Sequence, residues 1–226
     1  MIAERRFVRS LEHEALVAYL GRQLDAHFPD GTPHLLDAVV RDATQRSRQC
    51  FERIRHPSFG DSGTVIFDHL HGDQYTMFLY YASNTAWRTG DEPLAKKLFL
   101  LNKALNGFFC MYDTELPAVM FLNHALGTVI GRGTYGNYLL VTQNVTFGKD
   151  RGVAPVIGEG VIVYGGALVA GDSHIGDGVS IAAHAKVVNA EVPPDTVVAG
   201  ESPNLVLKPR KRNLTEEFFR LDLPIP

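Results

Sequence analysis

An aliphatic side chain recurs at every sixth position in the second half of the chain, and this interval holds over six consecutive positions. An amphipathic helix repeats its apolar residues every three or four positions and a half-buried strand every two, so neither explains an interval of six. Each of the first five aliphatic residues is also followed, four positions later, by a small or β-branched residue. The repeat predicts a solenoid of short parallel strands, with three hexapeptides in each triangular coil and the aliphatic residue pointing inward. The aliphatic positions are Ile157, Val163, Val169, Ile175, Ile181 and Val187.

Two departures from the six-residue interval predict where the coils are irregular. Ile130 and Val141 fit the same register but are eleven residues apart instead of twelve, so one corner must be short. Between Phe147 and Ile157 the stretch GKDRGVAPV breaks the interval. We expect this stretch to form a loop that projects from the solenoid.

Glycine divides the chain into two halves, because 14 of the 21 glycines fall between residues 127 and 200. Before that range the apolar residues are spaced three or four apart, which is typical of helices. We therefore predict an α+β protein with an N-terminal all-helical domain over 1–112. A parallel β-helix of hexapeptide repeats should follow over 113–207, and a C-terminal tail over 208–226.

Four helices are predicted in the first half. The first follows the apolar spacing over 7–24. The second should begin with Thr32 as its N-cap, followed by a proline in the first turn, and run to about Ile54. The third and fourth are expected over 73–88 and about 94–109.

The composition argues against several classes of partner and compartment. Lys and Arg total 22 against 25 Asp and Glu, which gives a net charge of −3. This balance offers no general attraction to nucleic acid or to an anionic membrane, so we expect neither as a partner. Cys50 and Cys110 are the only cysteines, too few for a disulfide framework, and favour a reducing cytoplasm. No long apolar run is present, so we expect neither a signal peptide nor a membrane span.

Three histidines of the second half are candidates for a chemical role. Position 124 lies six residues before Ile130, where the repeat would place an inward aliphatic residue. His124 therefore lies either in the core or in an irregular corner that faces a cleft. Imidazole is the side chain best suited to accept a proton from an alcohol that attacks a thioester. His174 and His184 are ten residues apart and lack the close histidine pair that the metal site of a hexapeptide-type carbonic anhydrase would use. We interpret both as outward surface residues and expect no metal.

Four segments carry a resemblance to a known family. They resemble the corresponding segments of serine acetyltransferases, which belong to the hexapeptide-repeat acyltransferases, and the likeness is specific from about Leu122 to Asn204. The resemblance implies a helical domain followed by a left-handed parallel β-helix, and acetyl-CoA as the acyl donor. It also implies a homotrimer, with a dimer of trimers joined through the helical domain as the alternative. The segments are NHALGTVIG (123–131), QNVTFG (143–148), GKDRGVAPVIG (148–158) and EVPPDTVVAGESP (191–203).

The same resemblance implies roles for individual residues. His124 matches the general base of the family, and Asp113 is the candidate for the aspartate that orients it. Glu115 is the alternative, because the motif YDTELP matches the family only imperfectly and Asp113 lies closer to His124 than in the family. For the donor, Gly165 and Ala183 fall at the family's binding coils, where small residues permit close approach.

A basic run near the C-terminus is a further candidate for contact with the donor. Lys208 and Lys211, in the run KPRKR, would neutralise the phosphates of CoA. The alternative is a solvated tail, which is the usual role of such a run.

The acceptor side differs from the family. The family's Arg-His-Pro is replaced by Val153, Ala154 and Pro155, and the aspartate before the catalytic histidine is replaced by Asn123. A free amino acid brings two charges that lose water on binding, so we expect free L-serine to bind poorly unless Arg151 or another residue substitutes. The acceptor should then be a hydroxyl on a less charged or larger molecule. Sugar N-acetylation on the same scaffold and a non-catalytic trimeric scaffold or regulator remain as alternatives.

Overall fold

The computed structural model describes residues 5–226, in which a mostly helical part precedes a solenoid of short parallel strands. The helices and strands are numbered separately along the chain. The helical part includes a short parallel strand pair, β1 (Arg6–Arg9) and β2 (Thr64–Phe67). None of the helices in the described range is both long and apolar enough to span a lipid bilayer. The helices are α1 (His13–His27), α2 (Leu36–Phe51), α3 (Gly72–Arg88), α4 (Glu92–Asn106) and α5 (Leu214–Phe218).

The solenoid has about five coils, and its strands stack into three faces, as the hexapeptide repeat predicted. The first face consists of β3 (Phe109–Cys110), β5 (Val129–Ile130), β8 (Thr146–Gly148), β11 (Leu168–Ala170) and β14 (Lys186–Val188). The second consists of β4 (Met120–Leu122), β7 (Leu139–Val141), β10 (Ile162–Val163), β13 (Ser180–Ile181) and β16 (Thr196–Glu201). The third consists of β6 (Thr134–Tyr135), β9 (Val156–Ile157), β12 (His174–Ile175) and β15 (Glu191–Val192). The antiparallel strand β17 (Asn204–Pro209) pairs with β16 at the end of the solenoid.

The register of the strands confirms three hexapeptides per coil. Val163 pairs with Ile181 and Val169 with Val187, so equivalent residues are 18 positions apart. The six repeated aliphatic side chains are all buried, at 0–3% exposure. This column of side chains forms the core of the solenoid, and its burial drives the coils together.

Both predicted irregularities are present. Tyr135 takes the inward position five residues after Ile130, which makes this the short corner. The loop after Phe147 is a tight hairpin, in which Asp150 and Val153 exchange two backbone hydrogen bonds of 3.0 and 2.9 Å. The two residues between them both have positive φ, as a two-residue hairpin of this twist requires.

Several boundaries differ from the sequence prediction. Phe7 lies in β1, not in a helix, because its strand pairs with residues 58 positions away, which local spacing does not reveal. Thr32 does not cap α2, since its amide binds the Asp30 carboxylate in a turn and the helix begins four residues later. The fourth helix ends at Asn106, where Gly107 adopts a left-handed conformation. The solenoid already begins with β3 inside the range 1–112, and β17 ends at Pro209, two residues into the predicted tail.

The helical part docks on the first coil through α3, most of whose residues are buried. The Tyr80 hydroxyl donates to the Thr114 carbonyl at 2.9 Å and accepts from the Leu116 amide at 2.8 Å. On α2, the Cys50 thiol donates to the Met120 carbonyl at 3.1 Å. Burial raises the pKa of both Tyr80 and Cys50. Both groups therefore remain protonated and available as donors.

Residues 210–226 form a C-terminal strap that runs from β17 back to the helical part. The Thr215 hydroxyl donates to the Gly160 carbonyl at 3.0 Å, and the Arg55 amide donates to the Phe218 carbonyl at 2.7 Å. Phe219 is fully buried, and its ring centroid lies 5.7 Å from that of Tyr138. The strap thus contacts both the solenoid and the helical part.

We predict that Phe219→Ala lowers the free energy of unfolding by about 3–5 kcal/mol, because it leaves a cavity at a fully buried position. The exposed neighbour Leu221 provides the control, and Leu221→Ala should cost about 1 kcal/mol or less. Urea denaturation measures both. Equal, small losses for the two variants would show that the strap is not part of the cooperative fold.

Candidate active site

The corner between the second and first faces is longer in the first coil than in the others. Leu122 and Ile130 occupy inward positions eight residues apart, whereas Val141 and Phe147 are six apart at the same corner of the next coil. The two extra residues displace the corner outward, and His124 lies within it at φ 54°. Of the two positions that the sequence allowed for His124, the structure therefore contains the irregular corner and not the core position.

The imidazole of His124 is exposed, and one of its nitrogens faces a carboxylate of the helical part. The side chain is 78% exposed, and Nδ1 lies 3.4 Å from Oδ2 of Asp73. The other oxygen of Asp73 accepts the backbone N–H of His124 at 2.8 Å. Asp73 belongs to the first turn of α3, and its side chain is only 12% exposed. Among residues 5–226, Nε2 of His124 has no hydrogen-bond partner, so this nitrogen is available to a substrate.

The carboxylates proposed from the sequence have other partners. Oδ2 of Asp113 forms an ion pair with Arg132, and its Oδ1 is buried without a hydrogen-bond partner in the described chain. Glu115 accepts from the Asn84 amide at 3.3 Å. The expected pairing of Asp113 with His124 is therefore not what the structure contains. Arg132 takes the Asp113 carboxylate, and the carboxylate that contacts His124 is Asp73.

The residues expected to bind the donor line a shallow pocket at the same corner in the following coils. We call it the corner pocket; its volume is about 330 Å³. The Gln143 side chain packs closely on Gly165. A Cβ at position 165 would lie only 2.8 Å from it, so a larger residue would not fit there. Asn144, one of its lining residues, donates its backbone N–H to the Leu126 carbonyl of the extended corner at 2.9 Å, which links the pocket to the His124 segment. The lining residues are Thr142, Gln143, Asn144, Tyr164, Gly165, Gly166, Ala183 and His184.

Lys208 and Lys211 line a neighbouring pocket of about 290 Å³ beside β17, separate from the corner pocket. Partial burial raises the pKa of Tyr164, the charge of Glu217 raises it further, and Arg212 opposes this effect. Arg212 follows Lys211 directly and also lines the pocket beside β17.

The acceptor-side residues are apolar or neutral, as the sequence indicated. Asn123 and Ala154 are half-buried, and Val153 is 45% exposed at the base of the hairpin turn. The hairpin is held against the solenoid because Asn189 donates to the Asp150 carboxylate at 2.8 Å. Arg151, at the hairpin tip, is exposed and forms no ion pair with any residue of the described chain.

The remaining histidines and cavities do not join this arrangement. His174 faces outward on the third face, where Nδ1 lies 2.5 Å from Glu191, and His184 faces outward in the corner pocket. Within residues 5–226 no group of three or more His, Cys, Asp or Glu side chains is placed to hold a metal ion. A cavity of about 640 Å³ lies in the helical part beside Asp42 and Arg88, and none of the candidate residues lines it.

Asp73 is the site residue that the sequence analysis missed. Its position at the start of a helix was predicted, but 51 residues separate it from His124, and no local pattern connects the two. Only the docking of α3 on the first coil brings them together.

Comparison with known proteins identifies the family. No protein-family model matches the chain. Serine acetyltransferase from Mycobacterium tuberculosis is 34% identical over 153 residues, which cover 66% of this chain and 66% of that protein. Serine acetyltransferase from Staphylococcus xylosus is 30% identical over 157 residues, covering 67% of this chain and 72% of that protein. The chain thus spans about two thirds of the length of these relatives.

Solved structures show the same fold. Serine acetyltransferase from Vibrio cholerae superposes with a TM-score of 0.62 at 22% identity, covering 86% of this chain and 72% of that one. A serine acetyltransferase solved in complex with CoA gives a TM-score of 0.65 at 20% identity, covering 85% and 84%. The helical part followed by a left-handed β-helix is common to all of them. Together with the sequence identities, this places the chain in the serine acetyltransferase family of acyltransferases.

Proposed function

We propose that this protein is an O-acetyltransferase that transfers the acetyl group of acetyl-CoA to a hydroxyl, with His124 as the general base. The observation that carries the proposal is the exposed imidazole of His124, with Nδ1 facing Asp73 at 3.4 Å and Nε2 free, in the coil next to a pocket of small residues. Membership in the serine acetyltransferase family supports the reaction class. A family neighbour solved with CoA supports the donor.

The proposed reaction needs one proton acceptor at the hydroxyl. Nε2 of His124 removes the hydroxyl proton as the oxygen attacks the thioester carbonyl, which forms a C–O bond and a tetrahedral intermediate. The C–S bond then breaks, and the imidazolium returns the proton to the leaving thiolate. The products are the acetyl ester and CoA, and the histidine ends in its starting form.

The corner pocket suits the pantetheine part of the donor. Gly165 and Ala183 add little bulk to the lining of the corner pocket, as close approach of an extended chain to the backbone requires. Lys208 and Lys211 have no ion-pair partner in the described chain, and they would pair with the donor's phosphates. Arg210, in contrast, is already paired with Asp195 at 2.6 Å.

We also propose a homotrimer, because apolar surface is exposed on the solenoid near the shallow corner pocket. Leu126 and Val129 lie next to it and are 66% and 37% exposed, which leaves apolar surface for a second copy to cover.

The acceptor we propose is a hydroxyl on a molecule that is less charged or larger than a free amino acid. Val153, Ala154 and Asn123 provide no charge for a carboxylate or an ammonium group. Arg151 and Lys149 are the nearby cations along the chain, and Arg151 is exposed at the hairpin tip. A pocket with this lining would leave at least one charge of free L-serine without a partner, which is costly in a desolvated site.

His124→Asn should lower kcat for acetyl transfer by two or more orders of magnitude, the usual effect of losing a general base. Asparagine is chosen because it tolerates the left-handed backbone at this position, as Asn144 does in the next coil. Thiol release from acetyl-CoA is measured against a panel of hydroxy amino acids, nucleotide sugars and amino sugars, with His174→Asn as the control. Unchanged turnover in His124→Asn would remove the histidine from the mechanism. Activity on amino sugars alone would favour the N-acetylation alternative, and no activity on any acceptor would favour the scaffold.

Light scattering on the purified protein should give about three times the chain mass of 24.9 kDa. Twice that value would correspond to a dimer of trimers joined through the helical domains. A single-chain mass at micromolar concentration would contradict the trimer.

For free L-serine we predict a KM above the ordinary upper value of about 1 mM. The comparison is a steady-state titration of L-serine beside the best acceptor of the panel. Efficient acetylation of L-serine with a KM inside the range of about 1 μM to 1 mM would refute the acceptor proposal and leave the protein a plain serine acetyltransferase.

A further inference from the structure

We propose that Asp73, supplied by the helical part, is the positioning residue for His124, in place of the β-helix aspartate. This inference rests on the proposed function for its kinetic consequence, but the contact itself can be tested without activity. It assigns to α3 a direct part in the reaction, in addition to its role in packing.

Asp73 contacts both the backbone and the ring of His124. Oδ1 accepts the backbone N–H at 2.8 Å, and Oδ2 lies 3.4 Å from Nδ1. The first contact holds the backbone of His124, and the second places a carboxylate oxygen beside Nδ1, where it can accept a hydrogen bond from Nδ1–H. A carboxylate at Nδ1 selects the tautomer whose Nε2 carries a lone pair, which is the form a general base needs.

The surroundings of Asp73 suit this role. Its side chain is 12% exposed, so water competes little for the carboxylate, and it lies in the first turn of α3, where unpaired backbone amides stabilise negative charge. Asp113, the alternative, is engaged by Arg132. One carboxylate is therefore committed elsewhere while the other faces the imidazole.

Asp73 uses one carboxylate oxygen for the backbone and the other for the ring of His124, so replacement by asparagine tests the ring contact separately. In Asp73→Asn the single carbonyl oxygen can accept the backbone N–H of His124, and the amide group then points its N–H at Nδ1. Nδ1 must become the acceptor, so the proton moves to Nε2 and the lone pair needed for proton abstraction is lost. The variant keeps the size and the backbone contact, so its effect separates tautomer selection from packing.

The first measurement is ¹⁵N NMR of the histidine side chains in the full-length protein, at a pH where the imidazoles are neutral. Signals of His124 are identified by their loss in His124→Asn. The wild type should show Nδ1 protonated and Nε2 unprotonated, and Asp73→Asn should reverse this. Asp68→Asn, five residues before Asp73 and bonded locally to the Leu70 amide, is the matched control and should leave the tautomer unchanged. An unchanged tautomer in Asp73→Asn, or a reversal in Asp113→Asn instead, would overturn the proposal.

The second measurement is kinetic. Asp73→Asn should lower kcat by about 10²-fold or more while the KM for acetyl-CoA stays within a factor of about two, because Asp73 does not line the corner pocket. A rise in this KM with unchanged kcat would contradict a positioning role. If the wild type transfers no acetyl group to any acceptor, the proposed function fails, whereas the NMR result still decides the role of Asp73.

Discussion

The buried hydroxyl of Tyr80 connects the helical part to the start of the solenoid, and the geometry of the site depends on this connection. It pairs with one carbonyl and one amide of the segment 114–116, at 2.9 and 2.8 Å. Neither group has access to water, so the loss of the hydroxyl would leave a buried donor and a buried acceptor unpaired, which typically costs about 1–3 kcal/mol for each group. Because Tyr80 lies on α3, the same contact fixes where the first turn of this helix, and with it Asp73, meets the solenoid.

The site combines a regular part with an irregular one. The regular coils repeat one corner with small residues, and the stacked corners form a pocket without any special loop. The irregular first coil has two additional residues at this corner, which moves His124 from an inward to an outward position. The helical part then holds the displaced histidine through Asp73. A base placed on an extended corner alone would have a freely rotating ring, so the contact between the two parts is what gives the imidazole a fixed orientation.

The parts of this structure that follow from local sequence were predictable, and those that depend on distant contacts were not. The interval of six fixes the inward side chains of the coils, and the eleven-residue spacing before Val141 predicted the short corner. The strand at Phe7 was missed because its partner is far along the chain. Asp113 was proposed because it precedes the first coil, but its carboxylate is paired with Arg132. Asp73 was identified only as a helix start, since nothing in the sequence shows which coil that helix meets.

A double-mutant cycle on kcat tests the central claim, that the helical part acts in catalysis through His124. Asp73→Asn is measured in the wild-type background and again in the His124→Asn background, with the same acceptor and saturating acetyl-CoA. If Asp73 works only by orienting the imidazole, it should lower kcat by about 10²-fold in the first background and by less than about twofold in the second. An equal loss in both backgrounds would mean that the two residues act independently, and it would contradict the account.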